Sequence, residues 1–497
     1  LENIFQTGKD NDQSSQKTIK LKDKISLNND RVISNSIRHD NLIITEPDSG
    51  DISYSLKKSE DNHIKANIHP IFKMDLSLES KSYKKAREDL LRGFLPQVSA
   101  INPEHFINYF NYNFTYKNQS EDGKFSAYAE IFPSTWSENN ILAVAVKANE
   151  QKAVDKKANI VFLLDISASM AKPDKLPLFK DALEKTLKQA NPETNISIIT
   201  YGGKSGKIVE DVKAENSDKI ISEIEQIIIG KKATGGNILT QPYQKLAKNK
   251  DDYTINKIIA VTDKDYNFGY TSKNNLKNFV LEKSQKGFSL SFLNFGNISD
   301  YTESKEISNA AQGRSYLANN LNEAKKYLQK EISSSKQLVT SEAGISLIFN
   351  PNIVYNYKPL AKLNISKANE ADKNSIAPIY DYFEKIYLFE TQDILNGKDF
   401  QENYAILNIS YKNEKSSAIE HFTYKINNDH LKDQPNDEFR LASSAAGFSL
   451  LLKGEISKKQ TPIQTILDGI ESSINDDNSE LREDFSNLVK KSEYLIQ

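Results

Sequence analysis

Four short apolar runs are separated by longer helical patterns between residues 157 and 333. The runs cover residues 160–164, 196–200, 258–261 and 290–294. Short runs dominated by apolar residues are typical of parallel strands whose two faces are both buried in a sheet. Helical patterns lie between and after these runs, at residues 178–188, 218–229, 238–247, 276–286 and 322–332. The alternation of strands and helices predicts a doubly wound, mostly parallel α/β sheet that is covered by helices on both sides.

The segments on either side of this region are rich in strand patterns and carry helices of their own. Strands are predicted at residues 71–78, 125–132, 141–147, 344–349, 385–390, 404–411 and 421–426. Helices are predicted at residues 80–94, after a cap at Asn102, and at residues 439–452 and 463–467. Because each flank offers few strands to close a core by itself, we expect the two flanks to pack together.

We expect four parts along the chain, since 497 residues are too many for one ordinary core. Residues 1–66 are interpreted as a polar arm or tether, and residues 67–154 as an N-terminal mixed α/β module. Residues 155–335 are interpreted as the doubly wound α/β domain. Residues 336–497 are interpreted as a β-rich module with C-terminal helices.

The composition excludes several kinds of partner and site. Lys and Arg number 65 and Asp and Glu number 67, so charge gives no reason to expect nucleic acid or an anionic membrane as a partner. The absence of Cys excludes disulfides, thiolate metal ligands and Cys nucleophiles. No run of about 18 apolar residues occurs, so no transmembrane segment is predicted.

Side chains with oxygen atoms follow the predicted strands. Asp165, Ser167 and Ser169 follow the first apolar run, and Asp263 follows the third. Thr234 lies on the loop before the third predicted helix. Ligands of open α/β sheets bind beyond the carboxyl ends of the strands, so we expect these side chains to lie at one edge. Carboxylates and hydroxyls favour Mg²⁺, Ca²⁺ or Mn²⁺ over zinc or copper, so the expected cofactor is one of these divalent cations.

This pattern resembles a known family. A strand followed by Asp-x-Ser-x-Ser, with a distal Thr and a distal Asp, looks like the metal-ion-dependent adhesion site of von Willebrand factor A domains. Other segments are similar to one bacterial family that carries an extra N-terminal module and a C-terminal extension around its A domain. These segments are Ile-Asn-Tyr-Phe-Asn-Tyr at 107–112, Thr-Asp-Lys-Asp-Tyr-Asn at 262–267, Phe-Arg-Leu-Ala at 439–442 and Ala-Gly-Phe at 446–448. The resemblance runs from about residue 70 to the end of the sequence.

The resemblance implies an A domain at residues 155–335 and a metal-dependent protein–protein interaction. The metal ligands that it implies are Asp165, Ser167 and Ser169 from the first loop, Thr234 from the second and Asp263 from the third. In such domains an acidic side chain of a partner protein completes the shell of the metal. The resemblance therefore implies a protein partner and no catalysis.

Two positions depart from the family pattern. Ala168 replaces the usual Gly between the two serines, which is tolerable if the backbone there is not left-handed. Lys264 replaces the usual Gly after Asp263 and is expected to place an ammonium group near the site. Such a charge would weaken metal binding or hold Asp263 in its place.

Two other functions stay open. The first is a purely structural scaffold within an envelope assembly. The second is a Mg²⁺-dependent aspartyl-phosphate phosphotransferase. Its nucleophile would be Asp165, its phosphate ligand Thr200 or Thr234, and its Mg²⁺ ligands Asp263 and Asp265. Such enzymes normally carry an Asp acid/base where this chain has Ser167, and all six His residues lie outside the α/β region, so we expect no catalytic residue.

Composition and the start of the sequence indicate a location in the bacterial cell envelope. The chain lacks Cys, begins with Leu1 rather than Met, and opens with the polar arm of about 66 residues. These features favour a lipid-anchored protein of the periplasm or the outer membrane. A lipid-bearing Cys removed from before Leu1 would supply the anchor.

Overall fold

A computed structural model describes most of the chain from residue 63 onwards, and the last residues of the predicted polar arm, Ile64 and Lys65, form a strand that pairs with Tyr357 and Asn356. The described residues are 63–149, 158–202, 206–230, 238–249, 254–263, 268–270, 272–296, 302–333, 338–361, 376–381, 383–394, 400–414, 416–474 and 479–496. Contacts divide the chain into two units. Unit 1 consists of Leu1–Gln151 together with Gln337–Gln497, and unit 2 consists of Lys152–Lys336.

The strands and helices are numbered in chain order. The strands are β1 (Ile64–Lys65), β2 (Ile71–Met74), β3 (Asn118–Gln119), β4 (Phe125–Pro133), β5 (Asn140–Ala148), β6 (Ala158–Asp165), β7 (Asn195–Tyr201), β8 (Gly206–Lys213), β9 (Ile255–Thr262), β10 (Phe288–Phe295), β11 (Ser315–Ala318), β12 (Leu338–Phe349), β13 (Val354–Pro359), β14 (Ile376–Tyr380), β15 (Glu384–Asp393), β16 (Ala405–Lys412) and β17 (Ile419–Ile426). The α-helices are α1 (Lys81–Leu91), α2 (Pro103–Ile107), α3 (Leu176–Leu187), α4 (Ser217–Glu225), α5 (Thr240–Lys248), α6 (Lys273–Gln285), α7 (Thr302–Ala310), α8 (Leu321–Ser333), α9 (Asp437–Lys453), α10 (Ile463–Glu471) and α11 (Ser479–Ser492).

Unit 2 is a doubly wound sheet, as the sequence predicts. Its strand order is β11-β10-β9-β6-β7-β8. Neighbouring strands from β11 to β7 are parallel, and β8 pairs antiparallel with β7 at the edge. The four apolar runs lie inside β6, β7, β9 and β10. The prediction of a mostly parallel α/β sheet is therefore confirmed.

Both faces of this sheet are buried, which explains why its strands are rich in apolar residues. Along β6, Phe162 and Leu164 contact a cluster that includes residues of α3, α4 and α8. Val161 and Leu163 point to the opposite face and join a cluster with residues of α5, α6 and α7. Because successive side chains of a strand alternate between faces, covering both faces favours apolar residues at consecutive positions.

Strands from the two flanks share sheets in unit 1. One sheet has the order β1-β13-β15-β5-β4-β3, and the other has β14-β12-β16-β17 with β2 also paired to β12. Strand β15 lies antiparallel to β5, from Glu384 opposite Lys147 to Thr391 opposite Asn140. Apolar residues of both sheets form one buried cluster. Each flank therefore supplies strands that the other needs as hydrogen-bonding partners.

Helices from both flanks also form one core in unit 1. Tyr83 of α1 and Phe106 of α2 belong to the same buried cluster as Phe448 of α9 and Phe485 of α11. The ring centroids of Tyr83 and Phe485 are 5.9 Å apart. Within the described ranges, none of the helices combines the length and the apolar composition that crossing a bilayer requires.

A buried lysine links the flanks by charge as well. Lys385 of β15 has 1% of its side chain exposed and forms an ion pair with Glu104 of α2 at 2.5 Å. Its Nζ also donates to the carbonyl oxygens of Asp75 and Ser77, each at 2.7 Å. A buried ammonium requires such partners because an unpaired charge costs several kcal/mol (about 3–5) to bury.

The structure differs from the sequence predictions mainly at element ends and short elements. The strand predicted at 71–78 ends at Met74, and the helix predicted at 80–94 ends at Leu91, before Gly93 with its φ of +83°. Asn102 caps α2 as predicted, since its side chain accepts from the Glu104 amide. The strands β1, β3, β8, β11, β13 and β14 and the helices α7 and α11 were not predicted. The edge strand β8 mixes polar and apolar residues, and β11 has only four residues, so neither gives a long apolar run.

We predict that the flanks fold only together. Residues 63–150 and residues 338–497, produced as two separate chains, should each lack a cooperative unfolding transition, because β5 loses its partner β15. Mixing the two chains should restore the transition. Residues 152–336, which contain a complete sheet, should unfold cooperatively by themselves as the control. Urea unfolding followed by far-UV circular dichroism measures all three, and cooperative unfolding of residues 63–150 alone would contradict the prediction.

Candidate metal centre

The parallel strands of unit 2 bring four loops to one edge of the sheet. Strands β6, β7, β9 and β10 are parallel, so their carboxyl ends lie at the same edge. The residues at or just after these ends are Asp165, Gly202, Asp263 and Gly296. Ligand sites of doubly wound sheets lie at this edge, where loops can diverge from the strands.

Asp165 is the last residue of β6 and is 4% exposed. Its Oδ1 accepts a hydrogen bond from the backbone N–H of Ser167 at 2.8 Å, and its Oδ2 accepts from Oγ1 of Thr262 at 3.1 Å. Burial raises the pKa of Asp165, the hydrogen bonds from Ser167 and Thr262 oppose that rise, and the charge of Asp263 adds to it. The carboxylate is thus held in one orientation in a site where its charge is costly.

The two serines of the first loop connect Asp165 to Asp263. Ser167 Oγ donates to Ser169 Oγ at 3.0 Å, because the single hydroxyl hydrogen of Ser169 is used in the bond to Asp263. Ser169 Oγ donates to Asp263 Oδ1 at 3.0 Å. Asp263 is 7% exposed. Four of the five residues predicted as metal ligands are therefore brought together at the edge.

The fifth predicted ligand, Thr234, lies outside the described residues. The described residues on both sides of 231–237 contact the loops of the site. The amide of Gly230 donates to the carbonyl oxygen of Ile166 at 2.8 Å, and the amide of Ile238 donates to that of Phe268 at 3.2 Å. The role of Thr234 stays a prediction.

Sequence reasoning missed Lys175, which contributes a charge to the cluster. Its Nζ forms an ion pair with Asp263 Oδ2, and only 12% of the Lys175 side chain is exposed. The sequence led us to expect an ammonium group near the site from Lys264. Lys264 and Asp265 both lie outside the described residues. Lys175 occupies the N-cap position of α3. A Lys is unusual there, because caps favour Ser, Thr, Asp or Asn and a helix N-terminus repels a cation. That conflict is the signal from which a partner for Lys175 could be inferred.

Two glycines leave room for the charged side chains. Gly202 has a φ of +85°, and a Cβ there would lie 2.7 Å from Asp165 Oδ1. Gly296 has a φ of +84°, and a Cβ there would lie 2.9 Å from Lys175 Cε. Ala168, where the family carries Gly, begins the short 3-10 turn Ala168–Ala171 and is not among the residues with positive φ. The extra methyl group is therefore accommodated without strain.

The donor set fits a hard divalent cation. It comprises the carboxylates of Asp165 and Asp263 and the hydroxyls of Ser167 and Ser169, all oxygen ligands of the kind that Mg²⁺, Ca²⁺ and Mn²⁺ prefer. Across the described ranges, no group of three or more His, Cys, Asp or Glu side chains is arranged to hold a metal. A metal at this edge would therefore depend on the serine hydroxyls as well as on the two carboxylates.

Three residues of the phosphotransferase alternative lie among the described residues, namely Asp165 and Asp263 of the cluster above and Thr200. Thr200, a predicted phosphate ligand, is 2% exposed in β7. Its Oγ1 donates to the carbonyl oxygen of Gly206 in the neighbouring β8, at 3.3 Å. The hydroxyl therefore takes part in the pairing of these two strands.

Family models match three parts of the chain. The model described as von Willebrand factor type A domain matches residues 159–331, inside unit 2. The model described as the C-terminal part of the uncharacterized protein YfbK matches residues 383–495, and one described as von Willebrand factor matches residues 52–143. Both of these lie in unit 1. The prediction of an A domain between flanking modules is confirmed.

Individual proteins share part of the sequence or fold with the chain, at low sequence identity. The uncharacterized protein YfbK of Escherichia coli (strain K12) is 28% identical over 311 residues, which cover 61% of this chain and 54%, about half, of YfbK. A solved von Willebrand factor type A structure from Catenulispora acidiphila has a TM-score of 0.33 at 13% identity, covering 75% of this chain and 92% of its own. The conserved hypothetical protein BatB from Bacteroides thetaiotaomicron has a TM-score of 0.29 at 17% identity, covering 35% of this chain and 97% of its own. Because these scores are low, the fold assignment rests on strand order and pairing.

We predict that Gly202→Ala destabilises the loop that holds Asp165. The new Cβ would overlap the carboxylate and force a non-glycine residue into a left-handed conformation, which costs about 1–2 kcal/mol. Hydrogen exchange of the β6 and β7 amides should report the lost protection.

Gly206→Ala is the matched control for this change. A Cβ at Gly206 meets nothing within 4 Å, and the residue is not among the glycines with positive φ. Its exchange should match that of the wild type or be slower. Equal protection in both variants would show that Gly202 does not make room for Asp165.

Proposed function

The chain is a bacterial von Willebrand factor type A protein with modules on both sides of its A domain, and we propose that it binds a protein partner through a divalent cation. An A domain itself implies a function in protein–protein interaction or adhesion. The observation that carries the metal dependence is the hydrogen-bonded chain from Ser167 through Ser169 to Asp263, next to Asp165. It gathers oxygen ligands from two loops at the edge where such sheets bind ligands.

The charges of the cluster suit a site that accepts an acidic group. Asp165 and Asp263 together carry two negative charges, the serine hydroxyls carry none, and Lys175 carries one positive charge next to Asp263. A divalent cation would change the net charge of this set from −1 to +1. A site with residual positive charge attracts an Asp or Glu side chain, so a carboxylate of the partner would complete the metal shell. Thr234 is the remaining proposed ligand.

We propose the bacterial cell envelope as the location of this interaction. The support is compositional, since the 497 residues include no Cys and the first 66 are rich in Lys, Asp, Asn and Ser. A polar arm of this kind would hold the folded units at a distance from an anchoring point. We propose no catalytic role for the residues of the site.

One observation favours a second candidate, a scaffold that needs no metal. Lys175 already supplies Asp263 with a positive charge, so the cluster is satisfied in part by the chain itself. In a purely structural domain this ion pair would be the permanent partner of the carboxylate. The two candidates differ in whether the site binds a cation from solution.

We predict that the full chain binds one Mg²⁺ or Mn²⁺ and that Asp165→Asn weakens this binding at least about tenfold. The amide keeps the size of the carboxylate and an acceptor for the Ser167 N–H but removes a charge from the site. Isothermal titration calorimetry measures both affinities.

Asp393→Asn is the matched control for this substitution. Asp393 is a part-buried carboxylate of unit 1 that accepts hydrogen bonds from Asn140 and Tyr404, so it stands outside the site. This variant should bind metal as the wild type does. Metal binding that is absent from the wild type, or equal in the Asp165→Asn variant, would favour the scaffold.

A further inference from the structure

Lys175 is held in a fixed position at the edge of the sheet. Its backbone N–H donates to the carbonyl oxygen of Lys172 at 3.0 Å, and its own carbonyl oxygen accepts from the amide of Phe179 at 2.9 Å in the first turn of α3. Its side chain passes Gly296, where even a Cβ would lie 2.9 Å from Lys175 Cε. The ammonium group is therefore directed to Asp263 by the backbone at one end and by a glycine along its length.

The ion pair is buried on both sides. The exposed fractions are 12% for the Lys175 side chain and 4% for that of Asp263. Ion pairs in exposed positions contribute little to the stability of the fold, because water and salt screen the attraction between the charges. A pair with this little exposure is screened less, so its charges attract each other more strongly. Lys175 also stands where a cap residue would favour the helix more, so local helix formation does not explain it.

The two oxygens of Asp263 have different partners. Oδ1 accepts from Ser169 and faces the hydroxyl chain that leads to the loop of Asp165, while Oδ2 pairs with Lys175. A divalent cation bound by this loop and by Asp263 would therefore bind a carboxylate that is already paired with the Lys175 ammonium. The metal and the ammonium would compete for the same negative charge.

We propose that Lys175 is a built-in competitor of the divalent cation, which neutralises Asp263 when metal is absent and lowers the metal affinity of the site. This inference rests on the proposed function, because it assumes that the site takes a metal. Without the ammonium, Asp165 and Asp263 would present two negative charges to a cation; with it, they present a net charge of −1. Lys175 thereby lowers the metal affinity of the site. It also leaves the metal-bound site with a net positive charge, which attracts a carboxylate ligand to the bound metal.

The test is the Mn²⁺ affinity of the full chain with Lys175→Met, which keeps an unbranched side chain and removes the charge. Calorimetric titration should give an affinity at least about tenfold tighter than that of the wild type, because one competing unit charge next to the ligand is lost. The thermal midpoint should fall without Mn²⁺ and rise more on its addition than in the wild type. Lys175→Gln provides the same measurement if the Met variant does not fold.

Lys245→Met is the matched control. Lys245 is also a buried lysine of unit 2, with 5% of its side chain exposed, and it pairs with Glu210 at 2.9 Å and with Asp211. Removing its charge should leave the Mn²⁺ affinity within about threefold of that of the wild type, since its partners lie outside the site. An equal gain of affinity in both variants would mean that net charge alone, not competition at Asp263, controls binding, and would overturn the inference.

The outcomes separate this inference from the proposed function. Wild-type binding with unchanged or weaker binding by the Lys175→Met variant overturns the inference and leaves the metal-dependent function in place. Binding by the Lys175→Met variant alone supports the inference and contradicts metal dependence of the wild type. Binding by neither the wild type nor any Lys175 variant contradicts both.

Discussion

Two carboxylates are buried next to each other where neighbouring strands end, and the surrounding groups compensate their charge. Asp165 closes β6, Asp263 follows β9, and the two strands pair directly. Burial removes the water that would solvate each charge, and it strengthens the repulsion between them. The compensating groups are Ser167 and Thr262 for Asp165, and Ser169 and Lys175 for Asp263.

This compensation explains why the loops have the shapes they have. The left-handed glycines, Gly202 and Gly296, let two strands end directly against charged side chains that a Cβ would displace. The serines lie in a tight turn that points hydroxyls along the edge of the sheet. Lys175 compensates one of the two negative charges of Asp165 and Asp263, and the other remains for an added cation. The proposed function depends on that remaining charge.

The fold of unit 2 could be predicted from the sequence because burial of both sheet faces leaves a strong local signal. The runs in β6 and β9 are apolar at every position and those in β7 and β10 are mostly apolar, whereas β8 and β11 leave no comparable run. In unit 1, strand patterns were visible, but the pairing of β5 with β15 joins residues more than 230 positions apart and follows from no local pattern. Elements whose burial on both faces is complete can therefore be predicted from the sequence. Which strands pair over a long distance in the sequence cannot.

The same distinction applies to the candidate site. Asp165, Ser167 and Ser169 stand close together in the sequence, and Asp263 comes two residues after the end of an apolar run, so the sequence indicates all four. The Lys175–Asp263 pair joins positions 88 residues apart. The chain has 65 Lys and Arg residues, so the presence of a lysine at one position does not indicate a functional role. Only its position at the start of a helix, where a cation is unfavourable, distinguishes it.

Anomalous diffraction from crystals of the full chain grown with Mn²⁺ would show whether the carboxylate cluster holds a divalent cation, because it locates the ion without reference to a partner. Metal binding at this edge should give an anomalous peak beside the oxygens of Asp165, Ser169 and Asp263, with the Lys175 ammonium shifted from its position against Asp263. A map with no peak at this edge and the Lys175–Asp263 ion pair intact at saturating Mn²⁺ would contradict it.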